Sequence, residues 1–192
     1  EPDARGWEMN SLYRDAISEL GSVVDRIDDS AVDTACAMIG AAGTTVLYGL
    51  GREGLQLRGF CMRLFHMGRQ VAMAFDMTTP PLGPGDLFIT CAGPGFLSTT
   101  EPLMKIARCA GAKVLLITAQ PDAQLAPLAD FVLLVPAQTM ADDQLATASR
   151  VLPMGSAVEG ALFVLFEVMI AKLKARLGVT AEAMRARQTN ME

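Results

Sequence analysis

The sequence lacks two features that would each indicate a large class of function. Its longest apolar stretch, residues 157–173, is interrupted by Glu159 and Glu167, whereas a membrane span needs about 20 predominantly apolar residues. Its 16 Lys and Arg residues are scattered and its net charge is −5. A nucleic-acid partner requires a basic patch. The sequence therefore predicts neither a membrane protein nor a nucleic-acid-binding protein.

Cysteine and histidine are also scarce. The four cysteines lie far apart without CxxC spacing, and there is one histidine, so we predict no metal site and no redox pair. We expect the cysteines to be small buried apolar side chains in a reducing, cytoplasmic setting. No secretory signal is visible. Residues 1–10 are expected to be a disordered or truncated start, and residues 11–192 a single domain.

Short apolar runs alternate with amphipathic segments from residue 45 onward. The runs are nearly continuous Val, Leu, Ile and Phe, which is typical of parallel strands covered on both faces. The pattern predicts an α/β fold: a three-layer, doubly wound, five-stranded parallel sheet with extra N- and C-terminal helices. The predicted strands are 45–50, 70–75, 86–91, 113–118 and 131–135. The predicted helices are 11–27, one opened by Ser30, 53–67, 99–110, 124–128, one from Pro153 to a stop at Gly178, and 180–187.

Three loops follow predicted strands, and ligands of doubly wound sheets bind beyond the carboxyl ends of the strands. Residues 49–54 read GLGREG. They have the spacing of a dinucleotide fingerprint without the acidic residue that should close the second strand, so we expect no cofactor. Residues 92–100 form a glycine-rich turn into a helix, which is either an anion site or a plain turn capped by Ser98 or Thr99. Residues 78–81, TTPP, can wall a pocket.

Four ordered segments resemble a known family. They are 49–54, 62–68 (MRLFHMG), 79–82 (TPPL) with 85–87 (GDL), and 153–156 (PMGS) with Glu159. Over residues 10–192 the chain resembles the 6-phospho-3-hexuloisomerases of the sugar isomerase (SIS) domain superfamily. The resemblance implies a flavodoxin-like SIS fold and metal-free interconversion of a 3-keto and a 2-keto hexose 6-phosphate. It also implies a homo-oligomer, a dimer or tetramer, in which the first, second and long C-terminal helices bury against sister subunits.

The resemblance also implies which residues carry the chemistry. Glu159 is the candidate base that moves a proton between adjacent sugar carbons through an ene-diol, with a pKa raised by its apolar surroundings. His66 is the candidate acid–base partner. The candidate substrate-binding residues are Gly51, Arg52, Glu53, Gly93, Gly95, Ser98, Thr99, Thr100, Thr79 and Gln188.

The sequence departs from the family in its phosphate-binding loops. Residues 92–97 read AGPGFL where the family carries a Ser-Gly-Ser-Gly-Glu-Thr type of loop. Glu53 stands where a serine is usual, and Gln188 where a histidine is common. Two compensations are open: residues 98–100 supply hydroxyls, or Arg52 neutralises Glu53. Three hypotheses follow: a phosphosugar isomerase, an isomerase of an unphosphorylated sugar or sugar acid, and an SIS domain that binds a sugar derivative without turnover.

Overall fold

Five short strands form one parallel sheet in the order β2-β1-β3-β4-β5. In the computed structural model, which describes residues 9–144, 148, 149 and 151–191, they are β1 (Thr44–Tyr48), β2 (Gln70–Met73), β3 (Leu87–Cys91), β4 (Lys113–Thr118) and β5 (Phe131–Leu134). Leu87 of β3 pairs with Thr45 of β1 on one side and with Lys113 of β4 on the other. All residues of β3 are buried, as expected for a strand covered on both faces. The predicted doubly wound parallel sheet is confirmed.

Helices cover both faces of this sheet. They are α1 (Met9–Val24), α2 (Asp29–Ala41), α3 (Gly51–His66), α4 (Thr100–Cys109), α5 (Ser156–Leu177) and α6 (Ala181–Arg185). Because strand side chains alternate in direction, Leu47 of β1 enters the core formed with α2, α3 and α5, whereas Val46 and Tyr48 enter the core formed with α4. α1 packs against α5. The three layers agree with the prediction.

Two helical segments before α5 differ from their predicted form. Asp28, rather than Ser30, is the N-cap of α2, because its Oδ1 accepts hydrogen bonds from the backbone N–H of Ser30 at 2.9 Å and from the Ser30 hydroxyl at 2.7 Å. A side-chain oxygen at this position satisfies N–H groups that have no partner inside the helix. The predicted helix over 124–128 is a 3₁₀ turn, Ala126–Leu128.

The long helix α5 begins later than predicted, at Ser156 instead of Pro153. Met154 and Gly155 have φ values of 53° and 83°, and a right-handed helix cannot pass through residues in the left-handed region. At its other end α5 stops at Gly178, which has a φ of 66°. This is the glycine stop that the sequence predicts.

The four cysteines are free thiols. Cys36, Cys61 and Cys91 are buried as predicted, and burial raises the pKa of the Cys36 thiol to about 11. Cys109 is exposed, so the prediction of burial is wrong for this residue, which occupies the solvent-facing side of the last turn of α4.

The described part of the chain contains no helix that is both long enough and apolar enough to cross a membrane. The predicted disordered or truncated start over 1–10 lies largely outside the described residues, since residues 1–8 are not described and Met9 opens α1. A single domain over 11–192 stays a prediction.

Candidate active site

A cavity of about 340 Å³ opens between the loops that follow β1 and β3. The chain passes from β1 outward to β2 and from β3 the other way to β4. Strand order therefore reverses between β1 and β3, which is where ligands of doubly wound sheets bind. The first turns of α3 and α5 meet at the same place. The lining residues are Leu50, Gly51, Arg52, Glu53, Pro94, Leu97, Thr139, Met140, Met154, Gly155, Val158 and Glu159.

Glu159 lies in the first turn of α5, with its side chain 14% exposed. Its pKa is raised, first by burial, which disfavours the charged carboxylate, and also by the neighbouring negative charge of Glu53. The positive charge of Arg52 acts in the opposite direction and lowers the pKa. Because burial is the largest of these causes, Glu159 is a carboxylate that takes up a proton more readily than an ordinary glutamate.

Arg52 joins the starts of α3 and α5. Its Nε lies 2.9 Å from Oε2 of Glu159, its Nη1 donates to the Ser156 hydroxyl at 3.0 Å, and its Nη2 donates to the carbonyl of Met154 at 2.5 Å. The open compensation in which Arg52 neutralises Glu53 is not seen as an ion pair among the described residues, because the guanidinium is directed to the start of α5. Its side chain is 51% exposed, so solvent weakens the ion pair.

Glu53 reaches across the cavity to the loop after β3. The backbone N–H of Gly93 donates to Oε2 of Glu53 at 3.0 Å and to Oε1 at 3.2 Å. A Cβ at position 93 would collide with Oε1, so the absence of a side chain at Gly93 allows this approach. Beneath it, burial and then the Glu53 carboxylate raise the pKa of the Cys91 thiol.

Two further glycines shape the loops at the cavity. Gly54 lies directly against Gly49, and a Cβ on Gly54 would collide with the Gly49 carbonyl oxygen, so the turn from β1 into α3 is closed tightly. Gly95 has a φ of 86° and donates its N–H to the carbonyl of Ala92 at 2.9 Å. This turn directs Pro94 and Leu97 to the cavity.

The hydroxyls of residues 98–100 do not line this cavity. Ser98 and Thr99 are exposed, and Thr99 is the N-cap of α4 without a side-chain capping bond. The Thr99 hydroxyl is 3.1 Å from Tyr48 Oη, which donates to it. Thr100 is fully buried, and its Oγ1 has no hydrogen-bond partner within the part of the chain that the structure describes. The compensation in which these three residues replace the lost hydroxyls is therefore not seen within this chain.

His66 and Gln188 lie far from Glu159. His66 is the last residue of α3, and its 14-residue separation from Arg52 corresponds to about 21 Å along the helix axis. The His66 carbonyl accepts from Arg187 Nη1 at 3.2 Å, so the C-terminal segment that contains Gln188 lies at the same distant end. Within one chain, the expected pairing of His66 with Glu159 is not formed, because the two side chains belong to opposite ends of the helical layer.

Thr79 also lies outside the cavity. Its hydroxyl donates to the carbonyls of Met73 at 2.6 Å and of Asp76 at 2.7 Å. It borders a separate, mostly apolar hollow that Val46 and Phe88 line on the α4 side of the sheet. The wall predicted for residues 78–81 therefore belongs to a different pocket.

Sequence reasoning missed the contribution of the segment after β5. Thr139 is 2% exposed and lines the cavity together with Met140. The Thr139 hydroxyl donates to Oδ2 of Asp142 at 3.0 Å, and Gln120 Nε2 donates to the same oxygen at 2.7 Å. This polar segment has no periodic pattern or known turn signature, so the sequence carried no signal for it. In the described residues, no group of three or more His, Cys, Asp or Glu side chains is arranged to hold a metal ion.

Comparison with known proteins gives clear relatives. No family model matches the sequence. A 3-hexulose-6-phosphate isomerase of Methylomonas aminofaciens is 36% identical over 184 residues, covering 96% of this chain and 100% of that protein. A 3-hexulose-6-phosphate isomerase of Mycobacterium gastri is 34% identical over 182 residues, covering 95% of this chain and 89% of that protein.

Solved structures share the fold. One is a hypothetical protein of Methanococcus jannaschii, whose structure was taken to infer a 3-hexulose-6-phosphate isomerase function. It superposes with a TM-score of 0.79 at 23% identity, covering 96% of this chain and 99% of its own. A putative sugar-phosphate isomerase of Listeria monocytogenes gives a TM-score of 0.77 at 16% identity, with coverages of 96% and 98%. These identities show the fold alone.

The sheet order and the position of the cavity define the class, a doubly wound α/β domain with its cavity at the reversal of strand order. The chain belongs to the 3-hexulose-6-phosphate isomerase family and is thus an isomerase by family.

Proposed function

We propose that this chain catalyses metal-free isomerisation of a keto sugar phosphate through an ene-diol, with Glu159 as the base. One observation carries the proposal: Glu159 lies in the cavity at the reversal of strand order, 14% exposed and with a raised pKa. A carboxylate with a raised pKa is a stronger base than an exposed glutamate and can both accept and return a proton. The substrate class is that for which the relatives are named.

The proposed reaction needs one proton carrier and one group that stabilises negative charge. Glu159 takes the proton from the carbon beside the carbonyl. The electron pair of that C–H bond forms the C=C bond of the ene-diol, and the carbonyl oxygen takes up a proton from water. Glu159 then returns its proton to the former carbonyl carbon, while the neighbouring hydroxyl gives its proton to water as the new carbonyl forms. The Arg52 guanidinium, 2.9 Å from the carboxylate, supplies positive charge beside the oxygen that becomes negative.

Proton exchange tests this proposal directly. In deuterated water, the wild-type protein should incorporate deuterium at C2 of 3-hexulose 6-phosphate and at C3 of its 2-keto product, the two carbons joined in the ene-diol. Glu159→Gln should slow this exchange by about 100-fold or more, the usual contribution of a positioned base. Glu167→Gln is the matched control, because Glu167 lies on the same helix and is paired with Arg63 at 3.0 Å outside the cavity. Full exchange in Glu159→Gln would refute the role of this residue.

A second candidate is isomerisation of an unphosphorylated sugar or sugar acid. It is supported by the carboxylate of Glu53, which holds the Gly93 N–H in the loop after β3. A panel of free and phosphorylated ketoses in the same exchange assay separates the two candidates. Exchange with free sugars alone would favour the second one.

We also infer that the chain acts as a dimer or tetramer, in the cytoplasm. Large apolar side chains are exposed on α1 (Tyr13, Ile17), α3 (Leu55) and α5 (Phe163), and neighbouring helices that expose such residues commonly form interfaces. Any contribution of His66 or Gln188 to a cavity would then come from a sister subunit. Light scattering after gel filtration tests the assembly, and a monomer would contradict it. Subcellular fractionation tests the compartment.

A further inference from the structure

We propose that Glu53 determines how a substrate lies in the cavity: it excludes a phosphate group from the Gly93 loop and receives an uncharged, hydroxyl-bearing end of the sugar there. This inference rests on the proposed function only in taking a sugar as the ligand. It applies to a phosphorylated or a free sugar, because it concerns which end of the molecule contacts the loop after β3.

The loop offers no free backbone donor to an anion over residues 93–95. The Gly93 N–H donates to the Glu53 carboxylate, Pro94 has no N–H, and the Gly95 N–H donates to the Ala92 carbonyl at 2.9 Å. Anion sites in such turns depend on several unpaired N–H groups directed at the ligand. All three positions of this turn are therefore unsuited to a phosphate while Glu53 keeps its contact.

The charges of the cavity lining also oppose the binding of a phosphate at the Gly93 loop. Among the described residues, the lining contains two carboxylates, Glu53 and Glu159, and one guanidinium, Arg52. Arg52 is engaged by Glu159 at 2.9 Å and by the start of α5. A phosphate dianion placed at Gly93 would adjoin the Glu53 carboxylate, and like charges within about 6 Å strongly oppose each other.

A sugar hydroxyl, unlike a phosphate, can donate a hydrogen bond to the Glu53 carboxylate. A carboxylate is an acceptor with about four lone-pair sites, and among the described residues the Gly93 N–H and the Cys91 thiol form hydrogen bonds with the Glu53 carboxylate. Lone pairs thus remain for hydroxyl donors from the cavity. The apolar side chains of Pro94 and Leu97 beside it can contact the C–H surface of a sugar.

Binding of inorganic phosphate, followed by NMR, tests the proposal without any turnover. Glu53→Gln removes the charge, and Glu53→Ala also frees the Gly93 N–H. Glu182→Gln is the matched control, because it removes one carboxylate on α6, distant from the cavity. We expect phosphate to shift the Gly93 amide resonance in both Glu53 variants and to bind at least tenfold more tightly there than in the wild type, about 1.4 kcal/mol. The Glu182 variant should match the wild type.

A phosphate-induced shift of the Gly93 amide in the wild type, with an affinity equal to that of the variants, would overturn the proposal. If Glu53→Ala does not fold, Glu53→Gln decides the question, since loss of the charge alone must tighten phosphate binding. The result is independent of the proton-exchange assay on Glu159. Failure of one proposal therefore does not imply failure of the other.

Discussion

The contact between Glu53 and Gly93 makes a sharp prediction about stability. Gly93 is buried and its φ lies outside the left-handed region, so its backbone accepts an alanine. The new Cβ would collide with Oε1 of Glu53 and lie 3.2 Å from its Cδ. The flexible Glu53 side chain can swing away, but the hydrogen bond at 3.0 Å is then lost. Gly93→Ala therefore acts chiefly by expelling the carboxylate.

The sign of the effect should depend on residue 53. Losing a hydrogen bond to a charged group costs about 1.5–3 kcal/mol, whereas Gly→Ala at a compatible backbone position stabilises by about 0.4–1 kcal/mol through the unfolded state. Gly93→Ala should thus lower the free energy of unfolding by about 1–2 kcal/mol in the wild type. In a Glu53→Ala background nothing is expelled, and the same change should raise it by about 0.4–1 kcal/mol.

Urea unfolding of the four proteins in this double-mutant cycle, at one pH, measures the coupling energy. The m-values should be equal, so that midpoints report stability alone. The reasoning would be refuted if Gly93→Ala had the same effect in both backgrounds, because the side chain of Glu53 would then not be the group that the new methyl displaces.

Three further predictions concern the rest of the chain. Gly54→Ala should destabilise by about 1–3 kcal/mol in thermal or urea unfolding, since its Cβ would collide with the rigid backbone oxygen of Gly49; unchanged stability would contradict the close approach. The pKa of Glu159 is raised by burial from 4.5, so its contribution to stability is greatest below pH 4.5 and is lost as the pH rises through the raised pKa. The unfolding free energy of the wild type should accordingly fall relative to that of Glu159→Gln as the pH rises from 4.5 through the raised pKa. A difference between the two proteins that does not change with pH would argue against a raised pKa of Glu159. Phe60→Ala should cost about 3–5 kcal/mol, because Phe60 is 1% exposed and stacks on Phe166 with ring centroids 4.4 Å apart; a loss below 1 kcal/mol would contradict that packing.

Much of the fold could be predicted because its signals are local. Continuous apolar runs identified the buried parallel strands, and Gly178 marked the end of α5 through its left-handed φ of 66°. The start of α5 could not be predicted from Pro153, because Met154 and Gly155 have a left-handed backbone, and the Met154 carbonyl accepts a hydrogen bond from the distant Arg52 of α3. The sequence did not distinguish Asp28 from Ser30 as the N-cap of α2, because both are good capping residues. Only the hydrogen bonds that Asp28 Oδ1 accepts from Ser30 identify the cap.

The candidate site was less predictable, because its contacts join distant segments. The loops after β1 and β3 had to lie together, since the carboxyl ends of parallel strands share one edge. The partner of Arg52 did not follow from sequence: Glu53 is its neighbour in the chain, yet the guanidinium meets Glu159. Similarly, no pattern indicated that Thr139 would enter the cavity.

The sequence by itself determined the doubly wound sheet and the edge at which the cavity lies, because side-chain periodicity and chain direction are properties of short segments. Only the tertiary structure decided which charges meet at that edge. Glu53 holds Gly93, and Arg52 holds Glu159. These pairings depend on the relative positions of helices that begin far apart in the chain, and packing of the whole core fixes those positions.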